Sequence, residues 1–433
     1  MLKEKTKYTC KECGAESPKW VGKCPSCEAW NSFEQETISI TPRKLSTKIS
    51  PKSPQKLNFV KSDFTRYETK ISEFDRVLGG GIVPSTLILF SGEPGIGKST
   101  LTLQIAGKIA KSHKVLMFSG EESLEQIANR AQRLNINEEN LLALSEYNLE
   151  TIIETMKTEK PKLTIIDSIQ VISSLDIQAN SGSITQIKYC TERLLETAKT
   201  ANSAIIIIGH VTKDGNLAGP RVLEHLVDTV ISLEGDRFQQ FRLLRSSKNR
   251  FGSCNEVGIF EMNEKGLKEI KNPSEQFLEG RKKNAHGSAI TVAMEGNRPF
   301  TVEVQALTTT SNFGFPKRTA TGFDLNRLQI LIAILEKHAK LNLQNQDVFV
   351  NVVGGIKLKE PASDLAVASA ITSSLLKKPI SNETVIFGEM GLSGELRKIP
   401  HLDKRIKEAE KMGFSKILSP EKHKEILSAL SDL

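Results

Sequence analysis

The chain has 433 residues, 38% hydrophobic and 25% charged, with Lys and Arg outnumbering Asp and Glu by 59 to 51. That length exceeds what one hydrophobic core holds and implies two or three domains, while the net charge of +8 permits nucleic-acid binding without requiring it. The opening MLKEKTKYTC has no apolar stretch and the longest strongly apolar runs are strand-sized, such as AIIII at 204–208, which argues against a secretory signal and a membrane span and leaves the cytoplasm as the expected compartment.

Residues 1–35 carry four of the six cysteines, Cys10, Cys13, Cys24 and Cys27, as two CxxC pairs separated by ten residues. Paired cysteines in a chain expected to meet a reducing compartment point to metal rather than disulfides. Four thiolates at this spacing suit a structural, tetrahedral Zn²⁺ site, and iron is the chemical alternative. Trp20 and Trp30 flank the second pair and are expected to pack on the knuckle, with base stacking as the other reading. Cys190 and Cys254 read as ordinary thiols. Residues 36–62, rich in Lys, Ser, Thr and Pro, read as a mobile basic linker.

From about 63 to 270 short apolar runs alternate with amphipathic stretches, the pattern of a doubly wound α/β domain. Buried parallel strands are expected at 86–90, 114–118, 163–167, 204–208 and 229–233, and helices at 99–113 and 184–201. Between the first strand and the first helix stands GEPGIGKS: Gly92, Glu93, Pro94, Gly95, Ile96, Gly97, Lys98 and Ser99, with Thr100 next. It fits the full P-loop pattern in its confirming context of strand, loop and helix. The glycines let backbone N–H groups surround phosphates, Lys98 is placed to bridge the β- and γ-phosphates, and Ser99 to ligate Mg²⁺.

Asp167 ends an apolar strand, where a carboxylate can hold Mg²⁺. Glu121 and Glu122 follow another strand at the edge where open α/β sheets bind ligands; Glu121 is the chosen water-positioning acid and Glu122 its competitor. His210 ends the strand AIIIIGH at the same edge, as a γ-phosphate sensor or a structural residue. In RSSKNRFG, Lys248 and Arg250 lie two residues apart on one side of an extended segment. Such a pair can reach a neighbour's γ-phosphate, or form a basic hairpin surface or a DNA contact.

Residues 271–433 change character: a hairpin turning at 295–299, a helix over 324–339 with Asp324 as N-cap and Leu325, Leu328, Leu331, Ile332 and Leu335 inward, then a strand at 347–355, a helix from about Pro361, a strand at 384–391 and two final helices, an α+β domain.

The cysteine module, GEPGIGKST, SGEES, IIDSIQ, GHVTKDGNLAGPRVLEH and KNRFG occur together and in this order, and over essentially its whole length the chain resembles the bacterial RadA (Sms) family of DNA-repair ATPases. The resemblance implies a RecA-like core, a DnaB-like hexameric ring on single-stranded and branched DNA, and branch migration in homologous recombination. Candidate protein partners are the recombinase RecA and a replicative helicase. It implies that Lys98, Ser99 and Asp167 hold ATP and Mg²⁺, that Glu121 is the catalytic acid, that His210 is the sensor, and that Lys248 and Arg250 act in trans. Lys213, Asn216 and Arg221 fall in a loop similar to one DNA-binding loop of RecA, and 171–184 would be the other.

Residues 287–433 resemble the protease domain of Lon. Against its Ser–Lys dyad, EPASDLAVASA places Ala362 at the nucleophile and IPHLDKRIKEA places Asp403 at the lysine, with Ser363 and Lys404 each one position off. An alanine cannot attack a carbonyl, so a non-proteolytic scaffold is expected, with Lys340, Lys357 and Lys359 as DNA contacts or a solvated face. The competing functions are a mediator ATPase that loads a recombinase without translocating and an ATP-dependent protease.

Overall fold

A computed structural model describes residues 4–12, 15–39, 65–210, 222–235, 241–311 and 314–433. Cys13, most of the basic linker, and Lys213, Asn216 and Arg221 lie outside the described residues. The chain divides into two compact units, the first ending at Glu269 and the second running from Ile270, with Phe241 joined to the second.

The N-terminal module is a three-stranded antiparallel sheet of β1 (Glu4–Cys10), β2 (Glu16–Ser17) and β3 (Phe33–Ser39), in the order β2-β1-β3. β3 runs on to Ser39, past position 35. Its interior is small: Cys10, Cys24 and Phe33 are buried, with Tyr8, Ala15 and Val21 packed on them. The expected packing of the two tryptophans is corrected here, because Trp20 is 54% and Trp30 72% exposed. Thiols and one phenyl ring fill the knuckle and leave no interior for two indoles.

The next elements are α1 (Ser72–Leu78), β4 (Leu87–Gly92), α2 (Lys98–Ala110), β5 (Val115–Ser119), α3 (Leu124–Arg133), β6 (Leu141–Ser145), α4 (Leu149–Glu159), β7 (Leu163–Asp167), α5 (Ile184–Ala201), β8 (Ala204–His210), α6 (Val222–Leu226), β9 (Thr229–Glu234), β10 (Phe241–Asn249), β11 (Val257–Asn263) and β12 (Gly266–Glu269). Among the described residues their strands form one sheet, ordered β12-β11-β10-β9-β4-β8-β7-β5-β6. From β9 to β6 it is parallel, with β4 pairing β8 and β9; β10 is antiparallel to β9, and β11 to β12.

Side chains alternate across a strand, so Ile88, Phe90 and Ile206 enter one core while Leu87, Leu89, Ile205 and Ile207 enter the other. Both faces are covered, which is why these strands read as unbroken apolar runs. The two helices expected here form, α5 over all of 184–201 and α2 starting one residue early at Lys98.

The second unit contains α7 (Pro273–Phe277), β13 (Ser288–Glu295), β14 (Arg298–Thr310), β15 (Arg318–Thr321), α8 (Leu325–His338), β16 (Gln346–Val352), α9 (Asp364–Leu376), β17 (Thr384–Ile386), β18 (Glu389–Met390), β19 (Leu396–Arg397), α10 (Leu402–Lys411), β20 (Lys416–Leu418) and α11 (Ile426–Ser431). The main sheet runs β13-β14-β16-β15, and β17-β20 and β18-β19 form two small ones. Asp324 caps α8 through Arg327 N–H as expected, but Leu325 is 42% exposed and Ile334 is buried in addition to the predicted stripe. A first-turn residue has no preceding turn to lie over, so its side chain stays in solvent. The single strand expected at 384–391 is two short ones on different partners.

Candidate functional site

β4 delivers the loop at the C-terminal edge of the parallel sheet, where such sheets bind ligands. Gly92, Gly95 and Gly97 have φ of 153°, 79° and 115°, values that glycine adopts without strain. A Cβ on Gly92 would also lie 2.7 Å from the Leu233 carbonyl oxygen. α2 starts on Gly97 with no side-chain cap, so its first N–H groups remain for an anion. Ile96 is buried and anchors the loop, while Glu93, Pro94 and Gly95 are exposed and Thr100 is half-buried in the first helical turn.

Lys98 is 4% exposed and donates from Nζ to the carbonyls of Gly92 at 2.8 Å and Glu93 at 3.0 Å. Burial pushes its ammonium down to about 8, against the opposing pull of Asp167 and Glu121. Asp167, buried at the end of β7, accepts a hydrogen bond from the Ser99 hydroxyl; burial raises its carboxyl, Glu121 and Glu122 add to the rise, and Ser99 and His210 oppose it. The loop, a buried lysine, and a Ser–Asp pair of hard oxygens thus fit a nucleotide with Mg²⁺.

The two glutamates part company. The buried Ser168 hydroxyl donates to Glu121 Oε1, and His210 Nε2 lies 3.4 Å from the same oxygen. His210 is aligned with Gly92 across β8 and β4, and its Nδ1 is buried with no partner. Glu122 is bound by Arg130 from α3. α3 in turn is fixed by a reciprocal capping box between Ser123 and Gln126. Ser168 and Arg130 were not identifiable as site residues from their types; the only signal for Ser168 was its place directly after Asp167.

Lys248 and Arg250 are not brought to this site. Lys248 Nζ donates to the carbonyls of Glu224 at 2.7 Å, His225 at 3.2 Å and Val227 at 2.8 Å. Arg250 Nη1 donates to Asp228 Oδ1 at 3.1 Å. Asp228 in turn pairs with Leu87, the first residue of β4. Five residue steps of strand lead from Leu87 to Gly92, about 16 Å, so both cations sit at the end of the sheet opposite this chain's own loop.

In the N-terminal module the sulfurs of Cys10, Cys24 and Cys27 lie within 4.8 Å of one another. Cys10 N–H bonds the Ala15 carbonyl and Cys24 N–H the Ala29 carbonyl, both at 2.9 Å, so the two knuckles share one turn geometry. Three converging thiols, with Cys13 three positions after Cys10 in the sequence, fit tetrahedral zinc. Cys190 is buried, which raises its thiol to about 12, and Cys254 is exposed.

Among the described residues of the second unit no dyad forms. Ala362 and Ser363 are buried, and Ser363 donates to the Glu360 carbonyl at 3.0 Å. Asp403 is exposed, and Lys404 reaches Asn297. The inward polar residue of α10 is Arg405, fully buried against Glu360 and the carbonyls of Val292 and Pro400. Lys340, Lys357 and Lys359 are exposed. Within 171–184, Ser174, Ile177 and Ala179 are held by the buried Gln186 side chain.

Fold and site together define a P-loop ATPase with a zinc ribbon at its N-terminus. Residues 8–35 match the rubredoxin metal binding domain, 52–216 the AAA domain and 309–423 the subunit ChlI of Mg-chelatase. The chain is 48% identical over 427 residues to the DNA repair protein RadA of Bacillus subtilis (strain 168), a match covering 97% of this chain and 93% of the relative. It is 49% identical over 423 residues to the DNA repair protein RadA of Streptococcus pyogenes serotype M1, with the same coverage of 97% and 93%. It is 46% identical over 425 residues to that of Listeria monocytogenes serovar 1/2a, covering 96% and 92%. The chain belongs to the DNA repair protein RadA family. Its role is in DNA repair, its reaction is ATP hydrolysis, and its cofactors are ATP with Mg²⁺ and Zn²⁺. Among the described residues no helix is long and apolar enough to cross a membrane.

Proposed function

We propose that this chain is a DNA-stimulated ATPase motor that drives branch migration of recombination intermediates, and that each of its nucleotide sites is completed by a neighbouring copy in a hexameric ring. The observation that carries this reading is the separation of parts: Lys98, Ser99, Asp167 and Glu121 share one end of the sheet while Lys248 and Arg250 occupy the other. Two cations that cannot serve their own loop are suited to serve another.

In this mechanism Lys98 moves from its loop carbonyls onto the phosphates, and Ser99 and Asp167 would hold Mg²⁺, which would supply charge neutralisation for the phosphate oxygens. Glu121, held by Ser168, orients the attacking water and takes its proton. Glu122 is tied to Arg130 and stands aside. His210 links Glu121 to the strand beside the loop and reports the γ-phosphate. Lys248 and Arg250 of the adjacent copy stabilise the charge of the transferring group. Hydrolysis resets segments that grip single-stranded and branched DNA, with 171–184 and the region of Lys213, Asn216 and Arg221 as the DNA-facing parts. A recombinase such as RecA and a replicative helicase are the proposed protein partners, and the second unit serves as a non-proteolytic scaffold.

The test is branch migration on a synthetic three-stranded junction with ATP, comparing wild type, Lys98→Ala and Glu121→Gln. Wild type should move the junction. Glu121→Gln should still bind ATP but lose about 10²–10⁴ in turnover, and Lys98→Ala should be inactive while keeping its fold. DNA-stimulated hydrolysis by the wild type without junction movement would replace the motor by the loader reading.

A further inference from the structure

Lys248 near the end of β10 and Arg250 just after it are two cations already engaged within their own subunit. β10 carries a bulge between Ser246 and Lys248, which turns Lys248 toward the end of α6. Its ammonium there meets three carbonyls of residues 224–227, the acceptors that a helix C-terminus leaves unsatisfied. Burial and the neighbouring Arg250 lower the Lys248 ammonium, while Asp228 and Glu224 oppose that. Arg250 is half-exposed, yet its guanidinium is bonded to Asp228, which is only 5% exposed. Asp228 spends its other carboxylate oxygen on the Leu87 N–H at 3.1 Å, and its backbone carbonyl accepts Arg250 N–H at 3.2 Å. One short junction, 224–228, therefore holds both cations.

We propose that Asp228 is a positioning residue that parks Arg250 on its own subunit, in competition with the nucleotide of a neighbouring copy, so that the unassembled or DNA-free enzyme is held at low turnover. This rests on the trans reading of Arg250 given above. Asp228 touches no reacting group in this scheme; it acts through Arg250 alone. A buried carboxylate beside a half-exposed guanidinium makes a directional lock: the acid is fixed by Leu87, and the arginine is the partner free to leave. The γ-phosphate charge of a bound ATP on the next copy is the competing acceptor.

The experiment is ATP turnover of the full chain without DNA and with single-stranded DNA, for wild type, Asp228→Asn, Arg250→Ala and the double variant. Asparagine keeps a carbonyl oxygen for Leu87 N–H and removes the charge that holds Arg250. Asp228→Asn should raise DNA-free turnover about fivefold, the factor of about 1 kcal/mol at the upper end for an ion pair with one exposed partner. The DNA-stimulated rate should change little, and the double variant should fall to the level of Arg250→Ala. A purely structural role for Asp228 would lower turnover in both conditions, and that result, or an unchanged DNA-free rate, overturns the lock. Wild-type turnover in Arg250→Ala would remove the finger reading and the lock together. Loss of turnover in Arg250→Ala with no gain in Asp228→Asn would remove the lock alone. Should Asp228→Asn not fold, Asp228→Ser offers Leu87 a hydroxyl oxygen and carries the same expectation.

Discussion

Lys98 shows how far a single side chain is shaped by its loop. Its ammonium is buried and bonded to two carbonyls, with its proton affinity pushed from 10.5 down to about 8. Below pH 8 both the folded and unfolded chains carry the proton, and the folded chain bears the cost of burying the charge. Between pH 8 and 10.5 the folded state releases its proton first, so the unfolded state binds more protons and stability rises with pH. Lys98→Met should therefore raise the nucleotide-free unfolding free energy at pH 7, measured by urea titration, by up to about 3 kcal/mol, and the gain should fade towards pH 10.5. A gain that does not change with pH would mean the lysine is not strained by burial. The lysine itself was legible in the sequence because its motif is local: seven residues fix loop, charge and helix start. The different settings of Glu121 and Glu122 were not, since Arg130 and Ser168 impose them from 8 and 47 residues away. Asp228 was equally silent, an acid between a short helix and a strand whose partner lies 22 residues on.

At the scale of elements, strand type was legible wherever both faces were buried. β7 and α5 begin and end where the apolar pattern places them, because unbroken runs and 3.6-residue stripes each admit one structure. Helix faces near an end were less readable: Leu325 follows the stripe of α8 and still lies in solvent. α10 shows the same limit, because its inward polar residue is Arg405, a position that alignment of the dyad passes over. Arg405 is enclosed by Glu360 and two carbonyls. Arg405→Ala would leave that carboxylate without its cation and should destabilise the second unit by about 3 kcal/mol, the low end for a buried pair because Glu360 keeps some water contact. Replacing both residues by Met should recover much of the loss in denaturant unfolding followed by circular dichroism. Equal losses for the single and double variants would show that the pair is not what holds α10.

At the scale of the whole molecule, the order of zinc ribbon, ATPase sheet and α+β unit was visible in composition alone, because cysteine pairs, alternating βα signals and a hairpin-rich tail differ so plainly. The ribbon's exposed Trp20 and Trp30 were misread because a metal-centred core is smaller than its aromatic content suggests. That core is too small to stand without its metal. Chelation, or Cys27→Ser, should abolish the zinc stoichiometry of one per chain and bring amide exchange in residues 4–39 to the rate of an unfolded chain, while β4 and β8 keep their protection. Retained protection of β1 and β3 without zinc would refute this. On the proposed trans reading, the placement of Lys248 and Arg250 and the loop at opposite ends of one sheet also restricts how copies can meet. Two copies related by a two-fold axis through either end would set donor against donor or loop against loop. Head-to-tail order brings unlike ends together in every successive contact, and an open run of such copies leaves one loop unserved at its end. Closing the circuit is then what makes the last site equal to the rest.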